Sequence, residues 1–303
     1  MAIKISIVIP TKGRVPYLRR LLASCLSQEL EKSEYEIFVV SNPHHVETES
    51  LMIDSFGHQG NVHYIALANI GTNVARNVGI KASKGEFVLL LDDDCELPTK
   101  TYLSDLLQVY RLDEDISGCG GGYLTPSNSN VRTLLNNNLV NLWLLLCRTQ
   151  EGHSSVLIGG AASYRSKVFK DDHWFNEKIK YGGAETDFNL RLCYHGHKLL
   201  FVQKLSVFHH SANSLKTMFF RSIKQGYSAH AFQKEWLGDH GRGDKRDLFR
   251  TVTSMKDILK FIFKTKKPLL FFLYLILHVV LLKVGQVGFI IEKYVSRFQR
   301  SRF

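Results

Sequence analysis

Cysteine is scarce in this 303-residue chain, and none of it is paired by spacing: Cys25, Cys95, Cys119, Cys147 and Cys193 lie far apart, with no Cys-x-x-Cys. A disulfide framework is therefore not expected, and the five read as reduced packing residues of a cytosolic domain. No long apolar run opens the chain. Ile5 to Ile9 ends at Pro10 and is too short for the hydrophobic segment of a signal peptide. Acidic residues are nearly missing from the last stretch, where residues 245–303 hold 13 Lys/Arg against 3 Asp/Glu. That tail thus carries most of the formal +11, and the remainder is close to neutral. Nucleic-acid binding across the whole surface is argued against, and a basic tail asks for an acidic partner, most simply anionic lipid.

What is present is ordinary globular composition, 45% apolar and 22% charged, enough for one large domain or a domain with an appendage. The run Phe87-Val88-Leu89-Leu90-Leu91 has no polar face and predicts a buried central strand. It ends in Asp92-Asp93-Asp94. Adjacent carboxylates repel, so at a strand end they ask for a cation or a donor such as a ribose hydroxyl, and hard oxygen ligands suit Mg²⁺ or Mn²⁺. A solvated acidic turn is the other reading.

Upstream, Ile3 to Pro10 predicts a β-branched strand, Pro16 to Leu30 a helix with Leu18, Leu21, Leu22, Cys25 and Leu26 on one face, and Tyr35 to Val40 a second strand. A β-α-β start implies a parallel sheet with a right-handed crossover. It gathers Thr11, Arg14 and the residues after Val40 at one sheet edge. Val62 to Leu67 predicts another strand, and Gly71-Thr72 a helix start with Arg76 one turn in, where free N–H groups attract anions.

These features, in this order, resemble the family 2 glycosyltransferases. The resemblance rests on Ser6-Ile7-Val8-Ile9-Pro10-Thr11, Asn69-x-Gly71, Ala75-Arg76-Asn77-x-Gly79, Asp92-x-Asp94 and Gly183-Ala184-Glu185-Thr186-Asp187-x-x-x-Arg191. It implies an α/β GT-A (Rossmann-like) fold, a mostly parallel sheet flanked by helices, over residues 1–240. A basic helical tail, 241–303, would associate with membrane. It further implies a nucleotide-diphospho-sugar donor (UDP-, GDP- or dTDP-linked), Mn²⁺ or Mg²⁺, and inversion at the sugar. Pro10, Thr11, Arg14, Asn42, Asn69, Arg76, Asp92 and Asp93 would line the nucleotide, and Asp94 with His209 would take the metal, His210 being the reserve. Gly159, Gly160 and Trp174 would lie beside the sugar or acceptor, although Trp174 also reads as core. The family's acidic turn after the second strand is Ser41-Asn42-Pro43 here, which leaves the base undefined. Its Glu-Asp pair is Ala184-Glu185, making Glu185 the candidate general base and Asp187 the second candidate, an ion pair with Arg191 being its plainer reading.

Gly118 to Tyr123 predicts a strand end pressed closely on a ligand or on backbone, Asn136 to Cys147 a covering helix, and Met218 to Trp236 a helix carrying Arg221, Lys224 and Tyr227, which the family resemblance would place over the diphosphate. Met255, Ile258, Leu259 and Ile262 oppose Lys256, Lys260 and Lys264, the pattern of a helix in a lipid surface. Leu269 to Leu282 is too short to span, so an interfacial or re-entrant helix is expected; extended through Lys283 to Ile291 it could span but would bury a lysine and a glutamine, and a core hairpin or a homo-oligomer contact is the other alternative. The expected enzyme is a transferase on the cytoplasmic face of a membrane with a glycan or lipid-linked acceptor. Two other readings are a sugar-phosphate nucleotidyltransferase, for which Thr11-Lys12-Gly13-Arg14 is poor in glycine, and a catalytically degenerate, membrane-tethered nucleotide-sugar binder.

Overall fold

The computed structural model describes residues 2–68, 71–149, 152–170, 174–179, 183–210, 214–239 and 253–300, with side chains placed outside 230–239 and 293–300. Strands β1 (Ile5–Thr11) and β2 (Tyr35–Ser41) are buried at every residue, as strands covered on both faces must be. Helix α1 (Val15–Leu26) joins them and turns Leu18, Leu21, Leu22 and Cys25 into the core. Each such leucine contributes about 1.5–3 kcal/mol by leaving water. The apolar spacing runs on to Leu30, yet the helix stops earlier. Gln28 takes its side chain onto Thr99 O (2.8 Å) and accepts from Leu103 N (3.1 Å), which holds the chain away from the helix axis.

Helix α2 (Val46–Leu51), strand β3 (Val62–Ala66), helix α3 (Thr72–Ala82) and strand β4 (Phe87–Leu90) complete the first half. The second half contributes β5 (Cys95–Glu96), α4 (Tyr102–Leu112), β6 (Ile116–Gly120), β7 (Tyr123–Leu124), α5 (Val131–Leu146), β8 (Ala162–Arg165), α6 (Lys167–Lys170), α7 (Ala184–Tyr194), β9 (Lys198–Phe201) and β10 (Val207–His209). The main sheet has seven strands in the order β3-β2-β1-β4-β8-β6-β9, parallel except that β8 runs against both neighbours. A small sheet, β5-β10-β7, stands beside it. Because Thr11 pairs with Ser41 and Leu91 N reaches Val8 O, the ends of β1, β2 and β4 open at one edge. Ligand crevices in α/β sheets lie at such an edge.

The glycines of Gly118–Gly121 answer to backbone. A Cβ on Gly120 would lie 3.1 Å from Ala162 Cα, and one on Gly118 3.0 Å from Ser163 O. Helix α5 begins five residues before the predicted start, because Asn130 caps it by accepting from Thr133 N at 3.0 Å.

Helices α8 (Leu215–Asp239), α9 (Met255–Lys264) and α10 (Pro268–Arg300) follow. Ser254 and Asp257 start α9 with a reciprocal capping box. Ile262 of α9, Phe271 of α10 and Met218 of α8 pack onto Leu135 and Leu142 of α5. The apolar helix does not end near Leu282 as the sequence predicts. It runs unbroken past Lys283, whose side chain is exposed, and within Pro268–Glu292 an 18-residue window has a mean hydropathy of 2.2. At about 1.5 Å per residue the 25 residues of Pro268–Glu292 exceed a hydrocarbon core of about 30 Å, so length and composition suffice to cross a bilayer. Small residues bring α8 and α10 together: a Cβ on Gly226 or Gly285 would strike the opposite backbone.

Candidate active site

Four carboxylates, one imidazole and two guanidiniums meet at the sheet edge. Thr11 closes β1 and donates its hydroxyl to Asp93 Oδ2 at 2.6 Å, and both residues are buried. Gly13 (φ +90°) turns the chain in the left-handed region that glycine tolerates. The turn brings Arg14 onto Asp93 and Asp94 together. Burial works against the Arg14 charge, but Asp94, Asp93 and Asp92 outweigh it and raise its pKa. Burial in turn raises that of Asp93, over the opposing pull of Arg14 and Thr11. Pro10 lies inside β1, opposite Val40. Asn42 is 1% exposed and accepts the Gly71 amide at 2.6 Å, so its carbonyl anchors the start of α3. Asn69 lies outside the described residues.

Helix α3 organises the opposite wall. Arg76 is 3% exposed and lies over the Phe175 ring, its guanidinium carbon 5.3 Å from the ring centroid. It donates to Glu185 Oε1 at 2.9 Å and to Asp92 Oδ1 at 3.2 Å. Burial opposes its charge, and Glu185 and Asp92 more than restore it. Asn77 binds Phe175 O and Glu177 Oε1, both at 2.9 Å, while Asn73 donates to Asn176 O at 2.8 Å. These two asparagines staple the loop that precedes α7.

Gly183 (φ +82°) then starts α7 and aims Glu185 back at Arg76. The two candidate bases part company here. Glu185 faces Asp92 across the guanidinium, whereas Asp187 is buried and its Oδ2 takes bonds of 3.1 and 2.9 Å from Arg191. Gly159 and Gly160 lie between these groups. A Cβ on Gly159 would meet Glu185 Oε1 at 2.6 Å, and one on Gly160 would meet Asp92 Oδ2 at 3.0 Å. Trp174 is elsewhere, tilted against Phe169 at 5.9 Å with Lys81 over its ring at 5.1 Å. The core reading of Trp174 describes that packing.

On the metal side, β10 turns His209 and His210 to opposite faces. His210 bridges Glu96 (2.7 Å) and Arg20 (2.9 Å). His209 Nε2 lies 3.5 Å from Asp94 Oδ1, and its Nδ1 lies 2.7 Å from Asn137 Oδ1. Asn137 spends its amide hydrogens on Leu124 O, Thr125 Oγ1 and His209 O, so its Oδ1 accepts and the histidine proton is assigned to Nδ1. Burial lowers the His209 pKa against the pull of Asp94, and the ring is neutral. Its Nε2 lone pair and Asp94 Oδ1, a buried atom with no hydrogen-bond donor, therefore face each other. Two opposed acceptors fit a shared divalent cation. No cluster of three or more His, Cys, Asp or Glu metal ligands occurs among the described residues.

Tyr123 has no place in the sequence reading of the site. Its ring stacks on His209 with centroids 4.0 Å apart and planes 7° apart. Burial, then Asp92, Cys95, Asp94 and Glu185, raise its pKa well above the ordinary phenol range. Asn73, Asn77 and Asn137 were also missed. Their signal was asparagine inside helices, where it is disfavoured unless its side chain is needed.

Solved structures share this architecture. Mannosyltransferase PcManGT from Pyrobaculum calidifontis, in complex with GDP-Man and Mn²⁺, matches with a TM-score of 0.68 at 11% identity over 97% of this chain and 88% of that one. Staphylococcus aureus TarS 1-349 in complex with UDP-GlcNAc matches at 0.51 with 16% identity, covering 95% and 91%. The fold is that of the GT-A glycosyltransferases. In sequence, the model of the family described as Glycosyl transferase family 2 matches residues 6–172, more than half of the chain, and the chain belongs to that family. TarS of Staphylococcus aureus (strain Mu50 / ATCC 700699), a poly(ribitol-phosphate) beta-N-acetylglucosaminyltransferase, is 31% identical over 190 residues, 58% of this chain and 30% of that protein. Such matches span about a third of the curated relatives' own length.

Proposed function

We propose that this protein transfers a sugar, with inversion, from a nucleotide-diphosphate donor to a hydroxyl on a glycan or lipid-linked acceptor. The observation that carries the reading is the Arg76 bridge, which holds Glu185 and Asp92 at one cleft opposite Asp94 and His209. Glu185 takes the acceptor proton as the acceptor oxygen bonds to the anomeric carbon. The bond from that carbon to the phosphate oxygen breaks, and the nucleoside diphosphate leaves with the electron pair. Asp94 and His209 would hold Mn²⁺ or Mg²⁺, which when bound offsets the leaving diphosphate's charge. Thr11, Asp93 and Arg14 shape the nucleotide side, with Arg14 free to exchange carboxylate for phosphate as its partner. Asp187 supports α7 through Arg191.

The membrane part of the proposal rests on α9 and α10. Met255, Leu259 and Phe263 of α9 and Leu273, Ile276, Val280, Val284 and Val287 of α10 are exposed apolar residues, and Lys256, Lys260, Lys264, Lys266 and Lys267 lie among or beside them. Apolar surface with a basic flank suits anionic lipid, spanning or lying in the surface. Helix α5 ties this appendage to the chemistry: Asn137 holds His209 while Leu135 and Leu142 pack on α8, α9 and α10. One helix thus separates the cleft from the lipid-facing elements, which favours a membrane-borne acceptor. Five unpaired cysteines suit the reducing, cytoplasmic side.

The test is nucleoside diphosphate release from UDP-, GDP- and dTDP-sugars with Mn²⁺ or Mg²⁺, using wild type, Asp94→Ala and Glu185→Gln. Release from one donor that is lost in both variants is expected. Release that persists in Glu185→Gln and fails in Asp187→Asn would move the base to Asp187.

A further inference from the structure

Two consecutive glycines form a floor on which four side chains converge. Gly159 lies under the Arg76 guanidinium and Glu185, and Gly160 lies under Asp92 and the Tyr123 hydroxyl. A side chain at either position would collide with those groups, so the absence of Cβ atoms is what lets all four approach the backbone.

Tyr123 reaches this floor from the second, smaller sheet. Its backbone is clamped by Asn141, which accepts from Tyr123 N and donates to Tyr123 O, both at 2.8 Å. Its ring lies flat on His209, and the residue is only 8% exposed. The ring therefore has one orientation, and it points the hydroxyl at Gly160 and Asp92. That hydroxyl has no hydrogen-bond partner among the described residues. The residue is nearly buried, yet its hydroxyl oxygen is not among the buried side-chain atoms that lack a partner, so it keeps access to solvent and can exchange water for a ligand.

Resting on the proposed transferase reading, we infer that the Tyr123 hydroxyl hydrogen-bonds the transferred sugar of the donor, so that the residue selects the nucleotide sugar over the bare nucleotide. The position argues for the sugar rather than the diphosphate. The hydroxyl lies toward Gly160 and the Arg76–Glu185–Asp92 bridge, while the diphosphate side belongs to Asp94, His209 and Arg14. A sugar offers both donors and acceptors, which a phenol among carboxylates can match with its single O–H.

Binding by calorimetry separates the cases, with UDP, GDP, UDP-GlcNAc and GDP-Man as probes in the presence of Mn²⁺, on wild type and Tyr123→Phe. The phenylalanine keeps the stack on His209, so unchanged melting is expected. Tyr123→Phe should weaken the nucleotide sugar that wild type binds by about three- to ten-fold, the range of one hydrogen bond, and leave the matching nucleoside diphosphate unchanged. The KM for that donor should rise by a similar factor. Equal affinity of wild type and variant for the nucleotide sugar overturns the inference. So does an equal loss for nucleotide and nucleotide sugar, which would move the hydroxyl to the diphosphate. If wild type binds neither UDP-GlcNAc nor GDP-Man nor any sugar of the UDP, GDP and dTDP panel, the transferase reading fails first and this inference with it.

Discussion

Glu185 receives a 2.9 Å hydrogen bond from Arg76, a residue that is itself only 3% exposed. The carboxylate that would take the acceptor's proton is thus positioned by a buried cation, which also grips Asp92 at 3.2 Å. An arginine so placed is poorly available to a nucleotide. It holds two acids at a fixed separation that mutual repulsion would otherwise widen.

Removing that cation should harm rate and fold together. Arg76→Met would leave Glu185 and Asp92 facing each other without a counter-charge. Both side chains are 30% exposed, so the stability loss should fall below the about 3–5 kcal/mol that attends breaking a fully buried pair. Turnover should drop by about 10²-fold or more, as expected when a general base is misplaced. Chemical denaturation and donor turnover of Arg76→Met and Arg76→Lys check this, and a full-rate Arg76→Met would refute the positioning role.

The two acids of α7 should fail in different assays. Glu185→Gln is expected to lose about 10²–10⁴ in kcat, far beyond the stability cost of taking one counter-charge from the buried Arg76. Asp187→Asn should keep the chemistry and lose about 1–3 kcal/mol of stability, because it unpairs Arg191 from a buried partner. Melting curves beside single-turnover rates distinguish them.

His209 predicts a pH effect of definite sign. Its folded pKa is lowered by burial, so below about 6.5 the unfolded chain takes up a proton that the folded chain resists. The stability associated with His209 is therefore full above that pH and declines as the pH falls toward the depressed folded value. His209→Gln should lose less stability than wild type between pH 7.5 and 5.5. Asn137→Ala, which removes the Nδ1 acceptor, should weaken Mn²⁺ binding measured by electron paramagnetic resonance.

For the appendage, substitution tests better than truncation. Cutting before Lys245 would bare Leu135, Leu142 and Met218, which pack on α9 and α10. Glutamate at Leu273 and Val280, both more than half exposed or close to it, leaves those contacts alone. The double variant should stop floating with anionic vesicles and retain the wild-type melting temperature. Continued flotation would count against the lipid-facing role.

Local periodicity and composition were enough to read the strand-helix-strand start, the acidic strand end, the glycine-led α7 and the basic apolar tail. Each depends on neighbours within a few residues: two-residue alternation or its absence, helical spacing, and the left-handed turns that glycine permits. Tertiary structure alone decided how distant residues share one site. Arg76 meets a residue 109 positions later, and Asn137 meets His209 72 positions later, because β4, β8 and the small sheet fold together at one edge. The choice of Glu185 over Asp187 as the acid that faces the cleft follows from the direction each side chain takes from the first turn of α7, and the sequence left both open. Tyr123 reads in sequence as part of a glycine-rich bend, and stacking on His209 makes it a wall of the cleft. The length of α10 stayed open in sequence, because Lys283 ends an apolar run there; in the structure Lys283 lies on the exposed side of a continuous helix. Helix continuity is set by backbone hydrogen bonds and by packing along the helix faces, and packing is a property of the folded chain.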